Sequence, residues 1–180
     1  MATQLEVAKE ALAQIGTRSK ITSLTDGSAE ATYVSLLYNP IRDFLLTEGD
    51  YDFSLNTITP IQLSDVVPPW AYAYAYPADT LRIRQVIPAR YNDNKLDPRP
   101  VEWNILGDLD TRQIMTSEKI VLIMCTKPAI ESLWDAIFRQ SFVRMLASAL
   151  AFALENRIEA SKVKLDEALG FAGIGKMRDM

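Results

Sequence analysis

The spacing of apolar residues changes twice along the chain, from helical to strand-like and back again. Leu5, Ala8, Leu12 and Ile15 recur at intervals of 3, 4 and 3, which puts them on one face of a helix. Thr3 and Glu6 have the spacing of a capping box, in which each side chain bonds the other's backbone N–H. Gly16 suits the reversal after the last turn, so the first helix is expected over residues 3–15. Thr25-Asp26-Gly27-Ser28 is rich in turn and capping residues. A second helix is expected from Ser28 to Thr47, with Tyr33, Leu37, Ile41 and Phe44 as its apolar stripe. Pro40 falls inside it. A proline offers no N–H and crowds the carbonyl one turn back, so a kink near Asn39, or two abutting helices, is expected. Residues 50–69 contain Pro60, Pro68 and Pro69 and read as an irregular connector held to the core by Tyr51, Phe53, Leu55 and Ile58.

The period then falls to two. Leu81 and Ile83 alternate with Arg82 and Arg84, which starts a strand with the two arginines on one face. Strands are expected over 81–87, 101–106, 112–116 and 119–125, with Arg90 to Pro100 as a polar loop or hairpin tip. No helix lies between them, which predicts an antiparallel meander. Pro128 suits the first position of a third helix, with Thr126 or Lys127 as its cap. Trp134, Phe138, Phe142, Met145, Ala149 and Phe152 follow at spacings of 4, 4, 3, 4 and 3. That helix, reaching Leu154, would be ~40 Å long. From Phe142 onward it is apolar almost all round, so burial on most sides is expected, and Ala147, Ala149, Ala151 and Ala153 permit close approach of another helix. Glu155 to Leu169 reads as a charged helix with Ile158, Leu165 and Leu169 as a thin stripe, followed by a Gly170–Lys176 tail. The expectation is an α+β fold: a bundle of about four helices from residues 1–69 and 126–180, with residues 70–125 inserted as an antiparallel β-lobe.

Composition narrows the chemistry. The chain of 180 residues is 48% hydrophobic and carries a net charge of −4. Up to Thr126 there are 11 basic against 16 acidic residues, and beyond it 8 against 7, so the acidity sits in the first two thirds. That balance argues against a whole-chain electrostatic grip on nucleic acid. There is no histidine, which removes imidazole metal sites and the Ser-His and Cys-His dyads. The single cysteine, Cys125, follows Val121 to Met124. It excludes an intrachain disulfide and reads as a small hydrophobe in a buried strand. The start, Met1-Ala2-Thr3-Gln4, lacks the basic and apolar segments of a secretory leader. The longest apolar run, Phe142 to Leu154, is shorter than the ~20 residues that span a bilayer.

Few residues suggest catalysis. Gly170, Gly173 and Gly175 follow a helix rather than a strand, the wrong context for a phosphate-binding turn. Asp108 and Asp110 flank a turn but fall short of a calcium ligand set. No catalytic, cofactor or metal residue is nominated. The run from Trp70 through Tyr72, Tyr74 and Tyr76 keeps three readings open: a base-stacking platform, packing in the core or between lobes, or a subunit interface. The stretch Pro68 to Pro77 has no Lys or Arg, which weakens the first. Arg82 and Arg84 either face solvent or pair carboxylates of a neighbouring subunit.

Four motifs in order carry a resemblance. They are Ala11 to Gly16, Ser23 to Ala31, a helix with Tyr38, Arg42-Asp43 and Leu45-Leu46, and Pro69-Trp70-Ala71-Tyr72 leading to Tyr76 through Arg82. Together they resemble the head-to-tail adaptor of short-tailed bacteriophages, the tail tubular protein A family. The chain departs from that family at Gly49 to Ser54, where a Pro-Trp-x-Phe-Ala-like segment is usual, and at Pro40. The resemblance implies a non-enzymatic virion protein of the neck, assembled in the host cytoplasm. It implies a helical bundle with an inserted β-lobe, a dodecameric ring under the portal, continuation of the DNA channel for ejection, and attachment of the next tail component, a nozzle or tube protein. No cofactor and no membrane are implied. Trp70, Tyr72, Tyr74, Tyr76, Arg82 and Arg84 become candidate ring-interface residues. By likeness to relatives, Leu165, Leu169, Phe171, Ile174, Lys176, Met177 and Arg178 become candidate portal contacts. Two other classes remain: a nucleic-acid-binding packaging accessory, and a tail-associated cell-wall hydrolase with a carboxylate pair.

Overall fold

A computed structural model describes residues 3–17, 21–88, 91–92, 95–96, 101–108, 111–155, 165–168 and 170. The fold is α+β, and the chain divides into two units: Met1–Phe53 with Pro128–Met180, and Ser54–Lys127. The β-unit thus begins at Ser54 instead of residue 70, because part of the expected connector is strand.

In the helical unit, α1 spans Gln4–Gln14 and both halves of the Thr3–Glu6 capping box form. Ile15 is the C-cap, and Gly16 follows at φ 74, a left-handed conformation that costs glycine nothing. The buried face is Val7, Ala8, Ala11 and Leu12, turned slightly from the expected stripe. The second helix, α2, spans Ala29–Glu48. Its N-cap Ser28 accepts from the N–H of Ala31 and is itself held by Asp26 Oδ1. Of the two alternatives expected at Pro40, abutting helices are not formed: α2 runs through it as one helix. Pro40 and Leu36 are both exposed, so water can take the Leu36 carbonyl that loses its donor. The third helix, α3, spans Ala136–Glu155 and is ~30 Å long, not ~40 Å. Pro128 is not its first residue. Strand pairing runs through Thr126, a 3-10 turn occupies Glu131–Leu133, and Asp135 supplies the cap, its Oδ1 accepting from the N–H of Phe138 at 2.7 Å.

The α3 helix packs on both α1 and α2, and Phe138, Phe142, Leu146 and Leu150 are fully buried. The stretch Ala136–Leu154 is long and apolar enough to cross a bilayer, at mean hydropathy 1.3, yet half of it is buried inside the protein. A soluble bundle's core helix has these properties. Residues 165–168 are again helical. There Ala168 is buried and Glu167 Oε2 lies 3.4 Å from Arg144 Nη1 on α3.

The β-unit holds β1 (Leu55–Ile58), β2 (Gln62–Leu63), β3 (Tyr72–Ala75), β4 (Arg82–Pro88), β5 (Tyr91–Asn92), β6 (Lys95–Leu96), β7 (Trp103–Leu106), β8 (Gln113–Thr116) and β9 (Val121–Thr126). All pairings are antiparallel, but they do not form the expected meander. One sheet has the order β1-β9-β4, a second β2-β3-β8-β7, and β5 and β6 pair alone. The β4 strand therefore pairs with β9, the last strand, and not with β7. The turn between β8 and β9 carries the chain from one sheet to the other. Ile83, Val86, Val121, Ile123 and Cys125 from the first sheet meet Tyr74 and Ile114 from the second in one apolar cluster. Cys125 is buried there, as expected of a small hydrophobe. A register shift between Ile83 and Gln85 marks a bulge in β4. The bulge spaces the buried pair Ile83 and Val86 three residues apart, which breaks the simple alternation.

The inward-facing aromatic side chains of the helical unit gather around Phe138. Its ring centroid lies 4.9 Å from Tyr51, 5.1 Å from Phe53 and 4.9 Å from Trp134. Phe142 extends the cluster to Tyr38, at 4.7 Å. The pairs are mostly edge-to-face, the arrangement the ring quadrupoles favour. Gly49, at the end of α2, makes room for one member: a Cβ there would sit 2.2 Å from Cε2 of Tyr51. Its φ of −102 is ordinary, so space and not backbone freedom selects glycine. Because Tyr51 is only 3% exposed, its ring cannot swing aside cheaply. Gly49→Ala is expected to cost about 1–3 kcal/mol, read as a lowered midpoint in urea or thermal denaturation.

Candidate functional site

The alternation of tyrosine and alanine from residue 72 is a strand pattern, and β3 realises it. Tyr72 pairs with Thr116 and Tyr74 with Ile114 across β8. Tyr74 is 3% exposed and belongs to the core of its own unit, with Tyr72 and Tyr76 packed against that core. Its hydroxyl donates to the carbonyls of Glu118 and Lys119 and so pins the turn that crosses between sheets. Burial, and then neighbouring Tyr72, push its phenol above the usual value. Tyr74 therefore has little surface to offer a base or a neighbouring copy. Tyr76 is half-buried, with the Arg112 guanidinium 5.6 Å from its ring centroid. Trp70 is half-buried in the loop before β3, where its N–H bonds the carbonyl of Val67.

Pro77 leads into a turn at Ala78 and Asp79, with Asp79 at φ 56. The N–H of Leu81 then bonds the carbonyl of Thr126. Arg82 is exposed and stands opposite Thr126. Arg84, at the bulge, donates from Nε to Thr126 Oγ1 at 2.7 Å. The two arginines thus converge on one position of β9. Of the candidate portal contacts, Leu165 is 37% exposed; Leu169, Phe171, Ile174, Lys176, Met177 and Arg178 lie outside the described residues.

A polar constellation that the sequence did not flag flanks the aromatic cluster. The Tyr38 hydroxyl donates to Glu131 Oε1 at 3.0 Å. Burial first, and the Glu131 charge second, push this phenol far above its usual value. Nearby, Arg139 on α3 pairs with Glu10 on α1 in an open groove of about 510 Å³ that Trp134, Ala136 and Gln140 also line. The two charges satisfy each other, so the pair ties helices together instead of presenting a reactive group. Among the described residues, no three His, Cys, Asp or Glu side chains gather where they could hold a metal ion.

The outer face of α2 carries exposed apolar side chains. Tyr33, Leu36 and Phe44 are 38%, 64% and 47% exposed, while Ala31, Val34, Tyr38, Leu45 and Leu46 are buried. The stripe expected to face the core therefore includes the side chains that α2 turns to solvent. The sequence did show the stripe; missing was any sign that a second apolar face competes with it. No known protein-family model matches the chain, and no curated protein matches its sequence.

The Tyr38 phenol supplies a test of the polar constellation. Its raised value means that the neutral form is favoured by folding. The associated stability is complete below the unfolded phenol's titration near pH ~10 and is lost as pH rises beyond it. Tyr38→Phe is expected to cost about 1 kcal/mol at neutral pH through the lost hydrogen bond. It should also flatten part of the alkaline decline in urea stability, with Tyr74 still contributing the remainder.

Proposed function

We propose that this chain is a structural head-to-tail adaptor of a short-tailed bacteriophage. Copies form a ring under the portal, continue its DNA channel and carry the next tail component. The protein does no chemistry; it works by self-association and by contact with protein above and below.

The observation that carries this reading is the order of the four motifs, taken with what each does locally. Ala11–Gly16 is the last part of α1 and its reversal. Ser23–Ala31 contains the capping network of α2, built on Asp26 and Ser28. Tyr38, Leu45 and Leu46 are buried anchors of α2. Pro69–Arg82 contains β3 and the turn into β4. All four are joints or anchors of a helix–helix–sheet–helix order, so likeness confined to them speaks to architecture. The departure at Gly49–Ser54 is compatible with it, since Tyr51 and Phe53 bring aromatic rings to α3 there. The acidic excess of the first two thirds suits a channel wall past which DNA slides, because a basic wall would bind phosphates.

Electron microscopy of the protein mixed with the portal of its own phage tests the proposal. Twelve-fold rings docked on the portal are expected, by the family resemblance. A chain that leaves the portal bare would overturn the reading.

A further inference from the structure

Asp26-Gly27 is the single Asp-Gly pair of the chain, and no Asn-Gly pair occurs. Such a pair is where a protein backbone rearranges spontaneously, because glycine places no side chain in front of its own main-chain nitrogen. Both residues are exposed, in the loop that leads into α2. Gly27 stands at φ 78, a conformation that strains any residue with a Cβ. The glycine that makes the pair labile is thus one that the turn requires.

The Asp26 carboxylate is the hub of this loop. Its Oδ1 accepts from the N–H and the hydroxyl of Ser28, and its Oδ2 accepts from the N–H of Thr22 at 3.0 Å. The Ser28 hydroxyl in turn accepts from the N–H of Ala31 at 3.1 Å and so caps α2. Ile21, next to Thr22, is 2% exposed. The Thr22 contact therefore ties the loop to a residue anchored in the core.

In the rearrangement, the Gly27 nitrogen bonds to Asp26 Cγ. The amide proton and the carboxyl hydroxyl leave together as water, so the carboxyl group reacts in its protonated form. A second water opens the five-membered imide. Attack at Cγ restores aspartate. Attack at the main-chain carbonyl carbon leaves a backbone that runs through Cγ, one atom longer, with a free α-carboxylate. Nothing but water is released or consumed. The capping network opposes this course, since its three donors favour the anion and the imide has no anionic oxygen to offer them. The contacts of Asp26 must open first. Afterwards the longer backbone displaces Ser28 relative to Thr22.

We propose that Asp26-Gly27 is a site of spontaneous isomerisation gated by the α2 cap: opening of the cap sets the rate, and the product cannot re-form it. The test ages the full chain at neutral pH. Enzymatic methylation of the free α-carboxylate measures isoaspartate, and peptide mapping locates it. Isoaspartate is expected at residue 26, forming far more slowly in the folded chain than in urea. Ser28→Ala should speed it about fivefold in the folded chain, the shift in opening that loss of a capping side chain gives. Ser28→Thr keeps the hydroxyl and should match the native rate. Gly49→Ala destabilises the helical unit without touching the cap and should leave the rate unchanged. Equal rates in the folded and urea-unfolded chain would overturn the proposal, as would a Ser28→Ala variant no faster than the native chain. So would isoaspartate appearing first at another aspartate. Acceleration by Gly49→Ala as large as by Ser28→Ala would overturn it too, by placing the gate in global unfolding.

Discussion

Packing of aromatic rings against Phe138 is the constraint on which the helical unit depends. Phe138 lies one turn into α3, fully buried, and receives rings from the segment after α2 and from the segment before α3. Tyr38 enters the same cluster from the middle of α2 through Phe142, and its hydroxyl is fixed by Glu131. Once Tyr38 points inward, the rotation of α2 about its axis is set. Val34 and Leu45 must then go inward with it, and Leu36 and Phe44 must go out. Edge-to-face pairs of this kind add ~0.5–1.5 kcal/mol each beyond the area they bury, enough to decide between two apolar faces of similar composition.

That competition explains what could and could not be read in the sequence. The capping box of α1, the Ser28 cap of α2 and the strands from residue 82 to 126 were legible because each rests on local chemistry. Which side of α2 faces the core was not, because both sides are apolar and the choice is made by residues far along the chain. The start of α3 was misread for a related reason. Pro128 is a good first residue, but β9 holds the chain extended through Thr126 and Asp135 provides a cap closer to the buried rings. Strands β1 and β2 were missed because they are short and largely exposed, so no alternation marks them.

The β-unit shows the same division between local and distant information. Alternation correctly located β4, β7, β8 and β9, but not their partners. Pairing of β4 with β9 and of β3 with β8 depends on the crossing turn after Thr116, which Tyr74 pins through the carbonyls of Glu118 and Lys119. The tyrosine run left open base stacking, core packing and a subunit interface. For its central member, Tyr74, core packing is what the fold realises, and it holds two sheets to one core. Of the residues nominated as sites, Arg82 and Leu165 are exposed and Trp70, Tyr72, Tyr76 and Arg84 half-buried; α2 turns Tyr33, Leu36 and Phe44 outward as well.

The rotation of α2 is the central claim, since both the stability of the bundle and the availability of its outer stripe follow from it. Thiol labelling of variants that each add one cysteine, in dilute, monomeric protein, measures it most directly, with the buried Cys125 as the internal protected control. The account predicts that Leu36→Cys reacts at nearly the rate of an unfolded chain, whereas Val34→Cys is protected until the protein unfolds. A reactive Val34→Cys beside a protected Leu36→Cys would mean that α2 faces the core with its other side, and would contradict the account.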